Sequence, residues 1–327
     1  MSQFFAKGKT LFDFEKPLAA LKKRLDDLME KENENGNGPA VQQLLLQIRE
    51  TEAQIYQQLT PYQIVRIARH DERPTTLDFL EMIGADFVEL KGDRVFGDDP
   101  AIVAGFGKWN GERVAIIGHQ KGKNTKENIA RNFGMANPEG YRKALRIMQL
   151  AERVNRPIVC LIDTPGAYPG IGAEERGQAE AIARNLREMS KLQVPVVCVV
   201  TGEGGSGGAL GIGVGNRVLM MQYSIYSVIS PEGCAAILFR DAGRASEAAE
   251  KMKITAPDLL QMKVVEEIIP EPPGGAHHDP TKAAENLKEA VARHLKELKA
   301  LSPKELVMNR YEKFRGMGYF IEEQSTT

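Results

Sequence analysis

Residues 194–215 constrain the fold of this chain more than any other stretch. They begin with an apolar, β-branched run at 194–200, which predicts a buried parallel strand, and they continue as a glycine-rich segment. If Gly207 and Gly208 open a helix after this strand, their N–H groups are among the unpaired donors of its first turn. The positive end of the helix dipole reinforces these donors. Such a pair of donors is suited to binding a developing oxyanion.

The same glycines also fit a nucleotide-binding motif. Gly202, Gly204 and Gly207 match G-x-G-x-x-G, the fingerprint of a dinucleotide-binding unit. However, the next predicted strand, 217–223, ends without the acidic residue that would hold a ribose, and the intervening helix is too short. A Walker loop is excluded because Ala209, rather than lysine, follows the last glycine pair. A further alternative is that the glycines only allow a helix to pack closely on a strand.

A hydrolase motif overlaps the same segment. Gly204, Ser206 and Gly208 fit the nucleophile elbow G-x-S-x-G, and His277 and His278 are possible bases further along the chain. Both histidines lie in a segment rich in proline and glycine, which does not by itself bring them to Ser206. A serine hydrolase therefore stays open as an alternative to oxyanion binding.

A second motif, Asp-Thr-Pro-Gly-Ala-Tyr-Pro-Gly at 163–170, directly follows an apolar strand predicted at 158–162. Its prolines and glycines fix an abrupt turn at the carboxyl end of that strand, which is where open α/β sheets hold their ligands. A helix is predicted between this motif and the strand at 194–200, so we expect right-handed crossovers and a mainly parallel sheet. The two glycine loops can then face each other across one crevice.

The overall composition indicates a globular protein with neither a membrane nor a nucleic acid as partner. The 327 residues are 42% hydrophobic, and 43 basic against 44 acidic residues give a net charge of −1. No apolar run approaches the roughly twenty residues of a membrane span, and the first residues lack a signal-peptide profile. We therefore expect a soluble, cytoplasmic protein. Three well-separated cysteines, Cys160, Cys198 and Cys234, predict free thiols and no metal site in this chain.

Three regions are predicted along the chain. An N-terminal helical hairpin is expected over 1–59, with a polar, flexible connection at 31–39, and its apolar faces are expected to pack on the central domain or on another chain. The central domain is expected at 60–270, and the proline- and glycine-rich segment 270–276 indicates its boundary. Helices at 271–327 are expected to pack on this domain or on a partner. The apolar stripes of both terminal regions are predicted to be available for assembly.

Two charged stretches flank a predicted antiparallel hairpin, whose turn is Asn110-Gly111. Before it, Asp93, Asp98 and Asp99 predict a solvated loop, because their spacing is too irregular for a cation site. After it comes a run of cations, which could hold a phosphate or carboxylate group or could simply be solvated. The candidate residues for anion or cofactor binding in that run are Lys121, Lys123, Lys126 and Arg131.

Several long stretches together carry a resemblance to a known family. They are Gly-His-Gln-Lys-Gly at 118–122, Asn-Phe-Gly-Met at 132–135, Pro-Glu-Gly-Tyr-Arg-Lys-Ala-Leu-Arg at 138–146, the motif at 163–170, Gly-Ala-Glu-Glu-Arg-Gly-Gln at 172–178, Gly-Glu-Gly-Gly-Ser-Gly-Gly-Ala-Leu at 202–210 and Ser-Pro-Glu-Gly-Cys at 230–234. In this order they closely resemble the carboxyltransferase α subunits of multi-subunit, bacterial-type acetyl-CoA carboxylase. The resemblance extends from about Phe12 to Tyr319.

The resemblance implies an α/β, crotonase-like (ClpP/crotonase) fold, a mixed β-sheet wrapped by helices, with an N-terminal helical hairpin and C-terminal helices. It implies transfer of a carboxyl group from carboxybiotin, carried by biotin carboxyl carrier protein, to acetyl-CoA, giving malonyl-CoA for fatty acid biosynthesis. The implied partners are a carboxyltransferase β subunit, in an α2β2 assembly, and biotin carboxylase. Zinc is implied only in the β subunit, and no cofactor is implied to be bound covalently to this chain.

The resemblance also implies the site residues. Gly207 and Gly208 would supply donors to one of two oxyanions, that of biotin or that of the enolate, with the analogy favouring biotin, and Gly166 and Ala167 would lie across the crevice. Carboxyl transfer develops negative charge on the ureido oxygen of biotin and on the thioester oxygen of the acetyl-CoA enolate, and each oxygen needs preorganised donors. The sequence offers one strand-terminated glycine pair that opens a helix, so half of the site is expected to come from the β subunit. This chain alone is therefore predicted to be inactive.

Overall fold

The structure, a computed structural model, describes residues 12–32 and 38–318. Most of the connection predicted at 31–39, and the first residues that were compared with a signal peptide, lie outside the described ranges. Within those ranges one mixed sheet is accompanied by helices on both faces. The strands are β1 (Val88–Glu89), β2 (Ile102–Trp109), β3 (Glu112–His119), β4 (Ile158–Thr164), β5 (Val196–Gly205), β6 (Arg217–Met221), β7 (Ile225–Ser227) and β8 (Glu267–Ile269).

Helices occupy most of the remaining described chain. None of them is long and apolar enough to cross a membrane. They are α1 (Lys16–Glu32), α2 (Pro39–Gln57), α3 (Pro61–Ala68), α4 (Thr76–Met82), α5 (Thr125–Ala130), α6 (Pro138–Arg153), α7 (Ile171–Glu175), α8 (Gln178–Lys191), α9 (Ser206–Leu210), α10 (Pro231–Phe239), α11 (Ala245–Met252), α12 (Ala256–Gln261), α13 (Pro280–Leu298) and α14 (Pro303–Arg315).

The strand order in the sheet is β1-β2-β3-β4-β5-β6-β8, and β7 pairs with the end of β5. The first two pairs are antiparallel and the others are parallel, which confirms the predicted sheet. The hairpin turns at Asn110 and Gly111, both with the positive φ that a tight turn requires. β8 begins only at Glu267, because the N–H of Val264 bonds back to the Leu259 carbonyl and closes α12.

β5 continues through the glycines that the sequence analysis placed after the strand. Its pairing with β4 shifts register between Ile162 and Thr164, and beyond the shift Thr164 pairs with Gly204. At Gly205 an added Cβ would lie 2.1 Å from the carbonyl oxygen of Pro165, so only glycine allows this close approach. The two loops therefore begin in direct contact.

Residues of β4 alternate between the two faces of the sheet. Cys160 and Ile162 belong to a core that includes α6 and α8, whereas Val159 and Leu161 belong to a core that includes α4 and α13. Cys160 and its register partner on β5, Cys198, are buried free thiols, as predicted. Burial on both faces explains why the strand is a continuous apolar run.

α1 and α2 form the predicted N-terminal hairpin. Their apolar stripes pack on each other and on two residues of the central region, Ile67 and Tyr223. The buried Glu15 accepts a hydrogen bond from the Tyr56 hydroxyl, which ties the start of α1 to α2. Most of this apolar surface is therefore covered within the chain, which agrees with the alternative of packing on the central domain and leaves little of it for assembly.

The C-terminal region shares a core with the sheet. Leu287, Val291 and Leu295 of α13 are fully or almost fully buried against it, so this stripe is not available for assembly either. Residues 270–276 contain neither helix nor strand, as predicted. Nevertheless Glu271 is buried in a bidentate ion pair with Arg73, at 2.6 and 2.9 Å. The division at 60–270 and 271–327 stays a prediction.

The acidic loop before β2 is not the solvated loop that was predicted. Asp93 is buried, accepts hydrogen bonds from the N–H groups of residues 95–97 and pairs with Arg142 at 2.7 Å. Burial alone would raise the pKa of Asp93, but these hydrogen bonds outweigh it and lower that pKa to about 2. Lys143, fully buried, binds Asp98 at 2.6 Å. The carboxylates therefore fix the loop onto α6.

Candidate active site

Two glycine loops meet at the carboxyl ends of β4 and β5. In the β4 loop, residues 164–170, the Thr164 hydroxyl donates to the Gly166 carbonyl at 2.7 Å and accepts from the Gly166 N–H at 3.1 Å. The N–H of Tyr168 donates to the carbonyl of Ala136 at 3.0 Å. These contacts hold Gly166 and Ala167, both half-buried, in a tight turn.

In the β5 loop, residues 204–208, the chain passes directly from strand to helix. α9 begins at Ser206, which confirms that Gly207 and Gly208 lie in the first turn of a helix. Its N-cap is Gly205, so no side chain caps the first N–H groups. Helix geometry leaves these N–H groups without partners in the helix. They are therefore available to an external acceptor.

The two loops touch at Gly208. A Cβ there would lie 2.4 Å from the carbonyl carbon of Gly166 and 2.6 Å from the nitrogen of Ala167, distances that real atoms do not reach. At Gly207, by contrast, a Cβ would meet only the Ile182 side chain, at 3.6 Å. The structure thus brings together Gly207, Gly208, Gly166 and Ala167, the four residues predicted to form the oxyanion site.

His119 lies under this contact, at the end of β3. It is fully buried, and neither of its ring nitrogens has a hydrogen-bond partner of good geometry among the described residues. Burial, together with the charge of Lys121, lowers the pKa of His119 to about 3, while the backbone of Gly208 acts weakly in the opposite direction. The imidazole is therefore neutral at physiological pH.

The Lys121 side chain faces neither an anionic ligand nor solvent, the two alternatives that the sequence left open. Its ammonium lies 2.8 Å from Asp163 Oδ1 and 3.0 Å from Glu203 Oε2. Burial alone would lower the pKa of Lys121, but the two carboxylates outweigh it and raise that pKa above its usual range. Arg69, which directly follows α3, binds the other oxygen of Glu203 at 2.5 Å and reaches Glu232 of α10 at 2.8 Å.

The other three predicted cations lie further along and engage different partners. Lys123 is exposed and pairs with Asp78 of α4 at 2.5 Å. Arg131 donates to the carbonyl of Pro100 at 2.8 Å, and Lys126 is exposed on α5. Lys121 pairs with carboxylates inside the protein, so its role differs from that of Lys123, Lys126 and Arg131.

An apolar cavity of about 280 Å³ opens beside α9. Ser206 and Leu210 of α9 line it together with Tyr226, Leu259 and other mostly apolar side chains. Since Ser206 immediately precedes the two glycines, a ligand group in the cavity lies next to the helix start.

The structure gives the two rival motifs little support. Ser206 has the left-handed φ of 50° that a nucleophile elbow resembles, but His277 stacks on His70 with ring centroids 3.9 Å apart. His278 packs against His277 and lies 3.8 Å from Glu15, at the N-terminal hairpin. The dinucleotide fingerprint loses its context. Gly202 and Gly204 lie within β5, and α9, which contains Gly207, has only five residues.

Sequence reasoning missed the carboxylates of this site. Asp163 and Glu203 were read only as parts of glycine motifs, and Arg69 was not singled out. A usable signal was present, because a carboxylate directly after an apolar strand is costly to bury unless a cation meets it. Among the described residues no cluster of three or more His, Cys, Asp or Glu side chains could hold a metal ion.

Known proteins resemble this chain along most of its length. A family described as acetyl co-enzyme A carboxylase carboxyltransferase-like matches residues 11–318. The chain is 58% identical to the acetyl-coenzyme A carboxylase carboxyl transferase subunit alpha of Geobacter metallireducens, over 95% of this chain and 98% of that protein. It is 55% identical to the subunit of the same name from Thermus thermophilus, over 95% of this chain and 99% of that protein.

Solved structures with a similar fold are more distant in sequence. Transcarboxylase 12S superposes with a TM-score of 0.58 at 18% identity, over 80% of this chain and 46% of that chain. A chain of a Pseudomonas malonate decarboxylase hetero-tetramer superposes with a TM-score of 0.56 at 14% identity, over 71% of this chain and 90% of that chain. These likenesses confirm the predicted crotonase-like fold.

Proposed function

Because the chain belongs to the acetyl-CoA carboxylase carboxyltransferase family, we propose that it transfers the carboxyl group of carboxybiotin to acetyl-CoA together with a β subunit. The product is malonyl-CoA, formed in the cytoplasm for fatty acid biosynthesis. The observation that carries the proposal is the contact of the two glycine loops, which leaves the first N–H groups of α9 uncapped beside Gly166 and Ala167.

The residues around α9 fit a biotin ring and its oxyanion. Carboxybiotin supplies the carboxyl group and takes up negative charge on its ureido oxygen as the C–N bond breaks. The N–H groups of Gly207 and Gly208 would donate to that oxygen, since they lack helix partners and are fixed by the packing of Gly208 on the β4 loop. The cavity beside Ser206 has a mostly apolar lining, so a biotin ring bound there would displace water and strengthen these hydrogen bonds.

Acetyl-CoA needs a second set of donors, for the oxygen of its enolate. The β4 loop contributes Gly166 and Ala167 to the wall of the crevice, but among the described residues α9 is the one helix that directly follows a strand and has a glycine pair in its first turn. We infer that the second set comes from the β subunit, in an α2β2 assembly that also recruits biotin carboxyl carrier protein and biotin carboxylase. Any structural zinc belongs to the β subunit in this proposal.

Decarboxylation of malonyl-CoA in the presence of biocytin tests the proposal. We expect turnover when the purified chain is mixed with its β subunit and none from either subunit alone. A control reaction without biocytin separates carboxyl transfer from simple decarboxylation. Robust turnover by this chain alone would show that it contains both sets of donors, and an inactive α–β mixture would overturn the assigned reaction.

A serine hydrolase is the second candidate, favoured by the left-handed φ of Ser206. A fluorophosphonate probe distinguishes the two reactions, because an activated serine is labelled and a serine that only opens a helix is not. We expect no labelling of Ser206. Labelling that is lost in Ser206→Ala would transfer the assignment to the hydrolase.

A further inference from the structure

The pairing of β4 and β5 is interrupted where the two glycine loops begin. Ile162 pairs with Val200, but the next pair is Thr164 with Gly204, so β5 contains extra residues opposite Asp163. A strand pair with such a register shift loses ladder hydrogen bonds and can bend at that point. The relative position of the two loops therefore depends on contacts other than the ladder.

The Asp163 side chain replaces part of the lost ladder. Its Oδ1 accepts a hydrogen bond from the backbone N–H of Glu203 at 2.9 Å. The side chain reaches that N–H because residue 202 is glycine: a Cβ on Gly202 would lie 2.5 Å from the same oxygen. Asp163 directly precedes the β4 loop, and Glu203 directly precedes the β5 loop.

Lys121 joins these two carboxylates from the segment that follows β3. Its ammonium contacts Asp163 Oδ1 and Glu203 Oε2, and its side chain is only 19% exposed. The side chain is confined along its length, since a Cβ on Gly134 would lie 3.0 Å from Lys121 Cγ. Arg69 holds the other oxygen of Glu203 but connects it to Glu232 of α10, not to the β4 loop. In this network Lys121 is the cation that contacts both loop-bearing strands.

We propose that Lys121 is a positioning residue for carboxyl transfer, whose ammonium holds the β4 and β5 loops in the register that aims the Gly207 and Gly208 donors. This inference rests on the proposed function. It replaces the sequence-based interpretation in which Lys121 binds an anionic ligand, because both of its neighbours are carboxylates. A misplacement of about 1 Å at a catalytic group can reduce the rate on the order of a hundredfold.

The test compares Lys121→Met with Lys313→Met in the reconstituted α–β complex. Lys313 is the matched control, because its side chain is 8% exposed and pairs with Glu266, which bonds the backbone of Val218 in β6, on the side of β5 away from β4. We expect Lys121→Met to lower kcat of malonyl-CoA decarboxylation by about ten- to a hundredfold with KM for malonyl-CoA little changed. Lys313→Met should keep kcat close to that of the unsubstituted complex.

A second measurement reports on the loops directly. Hydrogen exchange at the N–H groups of residues 163–170 and 202–210 should become faster in Lys121→Met and stay unchanged in Lys313→Met. Lys121→Arg, which keeps a cation between the carboxylates, should recover part of the lost kcat and serves as the active-site variant if Lys121→Met does not fold. A raised KM with unchanged kcat would overturn the positioning role and restore ligand binding. Unchanged kcat and exchange in an otherwise active complex would overturn the inference while leaving the proposed function intact.

Discussion

The β4 loop and the β5 loop are both rich in glycine, yet they are held in different ways. Side chains shape the β4 loop, where the Thr164 hydroxyl bonds both the N–H and the carbonyl of Gly166, and a Cβ on Gly166 would meet nothing within 4 Å. The absence of side chains shapes the β5 loop, where Gly205 and Gly208 lie against the backbone of the β4 loop. Glycine content alone therefore does not say which position needs glycine.

The largest expected effect separates two neighbouring glycines of the β5 loop. Gly208→Ala places a Cβ 2.4 Å from the Gly166 carbonyl carbon, so the loops must move apart and the donors lose their aim. We expect kcat to fall about a hundredfold or more, the scale of one lost oxyanion donor. Gly207→Ala, the matched control, keeps its N–H and has room for the methyl group, so kcat should change by no more than about threefold. Equal losses in both variants would contradict this account.

The β5 loop also packs over the buried His119, so the stability of the fold is expected to depend on pH. The folded pKa of His119 is about 3, below the usual value of 6.5, so the unfolded chain binds the proton first as pH falls. The stabilisation that the neutral imidazole gives is complete above about pH 6.5 and decreases toward pH 3. Between pH 7 and 5 we expect the free energy of unfolding to fall by about 2 kcal/mol. Urea unfolding of the chain and of His119→Leu at both pH values measures it. If both proteins lose equal stability, His119 is not the cause.

A smaller effect is expected from the side-chain support of the β4 loop. Thr164→Val removes the hydroxyl that bonds Gly166 without changing the shape of the side chain. The loss of hydrogen bonds worth about 1 kcal/mol should lower kcat roughly fivefold. Thr201→Val is the matched control, because the Thr201 hydroxyl donates to the carbonyl of Ile162 within the sheet. Comparable kcat losses in the two variants would mean that Thr164 acts only through general stability.

The exposed cations lie outside both loops and should have a weaker effect. We propose that Lys123, Lys126 and Arg131 attract the anionic groups of coenzyme A. Lys123→Gln combined with Lys126→Gln should raise the apparent KM for malonyl-CoA by about two- to fivefold at low salt and flatten its salt dependence. A KM that is the same in the variant and the parent at every salt concentration would mean that these residues are simply solvated and do not attract the ligand.

The smallest effect is expected at Ser206, the residue of the β5 loop at which the strand has ended and α9 begins. Ser206 is exposed, and alanine retains the backbone N–H groups of α9. Ser206→Ala should therefore keep kcat within about threefold of the parent. A folded Ser206→Ala complex without activity would require the hydroxyl to take part in the chemistry.

Short-range patterns predicted much of this fold. The apolar runs gave β4 and β5, Asn110-Gly111 gave the hairpin, and the glycine pair gave the start of α9. The end of β5 was misplaced because glycine has low strand propensity, whereas here Gly202, Gly204 and Gly205 extend the strand to let neighbours approach.

The charged part of the site was much harder to predict. Asp163 and Glu203 are forty residues apart, and Arg69 is 134 residues from Glu203, so no local spacing links them. Lys121 was predicted either to hold an anion or to be solvated, because a lysine run at a strand end is commonly exposed. What decides its direction is the pair of buried carboxylates on β4 and β5, and this becomes visible only once the sheet order is known.

The ion pair between Arg73 and Glu271 has a consequence for how the chain can fold during its synthesis. The partners are separated by 198 residues, and both side chains are buried. While the ribosome has not yet released Glu271, Arg73 would have to be buried without a counter-charge, which is strongly unfavourable. We therefore expect the nascent sheet to stay open to protease until the C-terminal segment emerges. Ribosome-bound chains stopped before residue 271 should be cleaved readily, and chains that extend past α13 should resist.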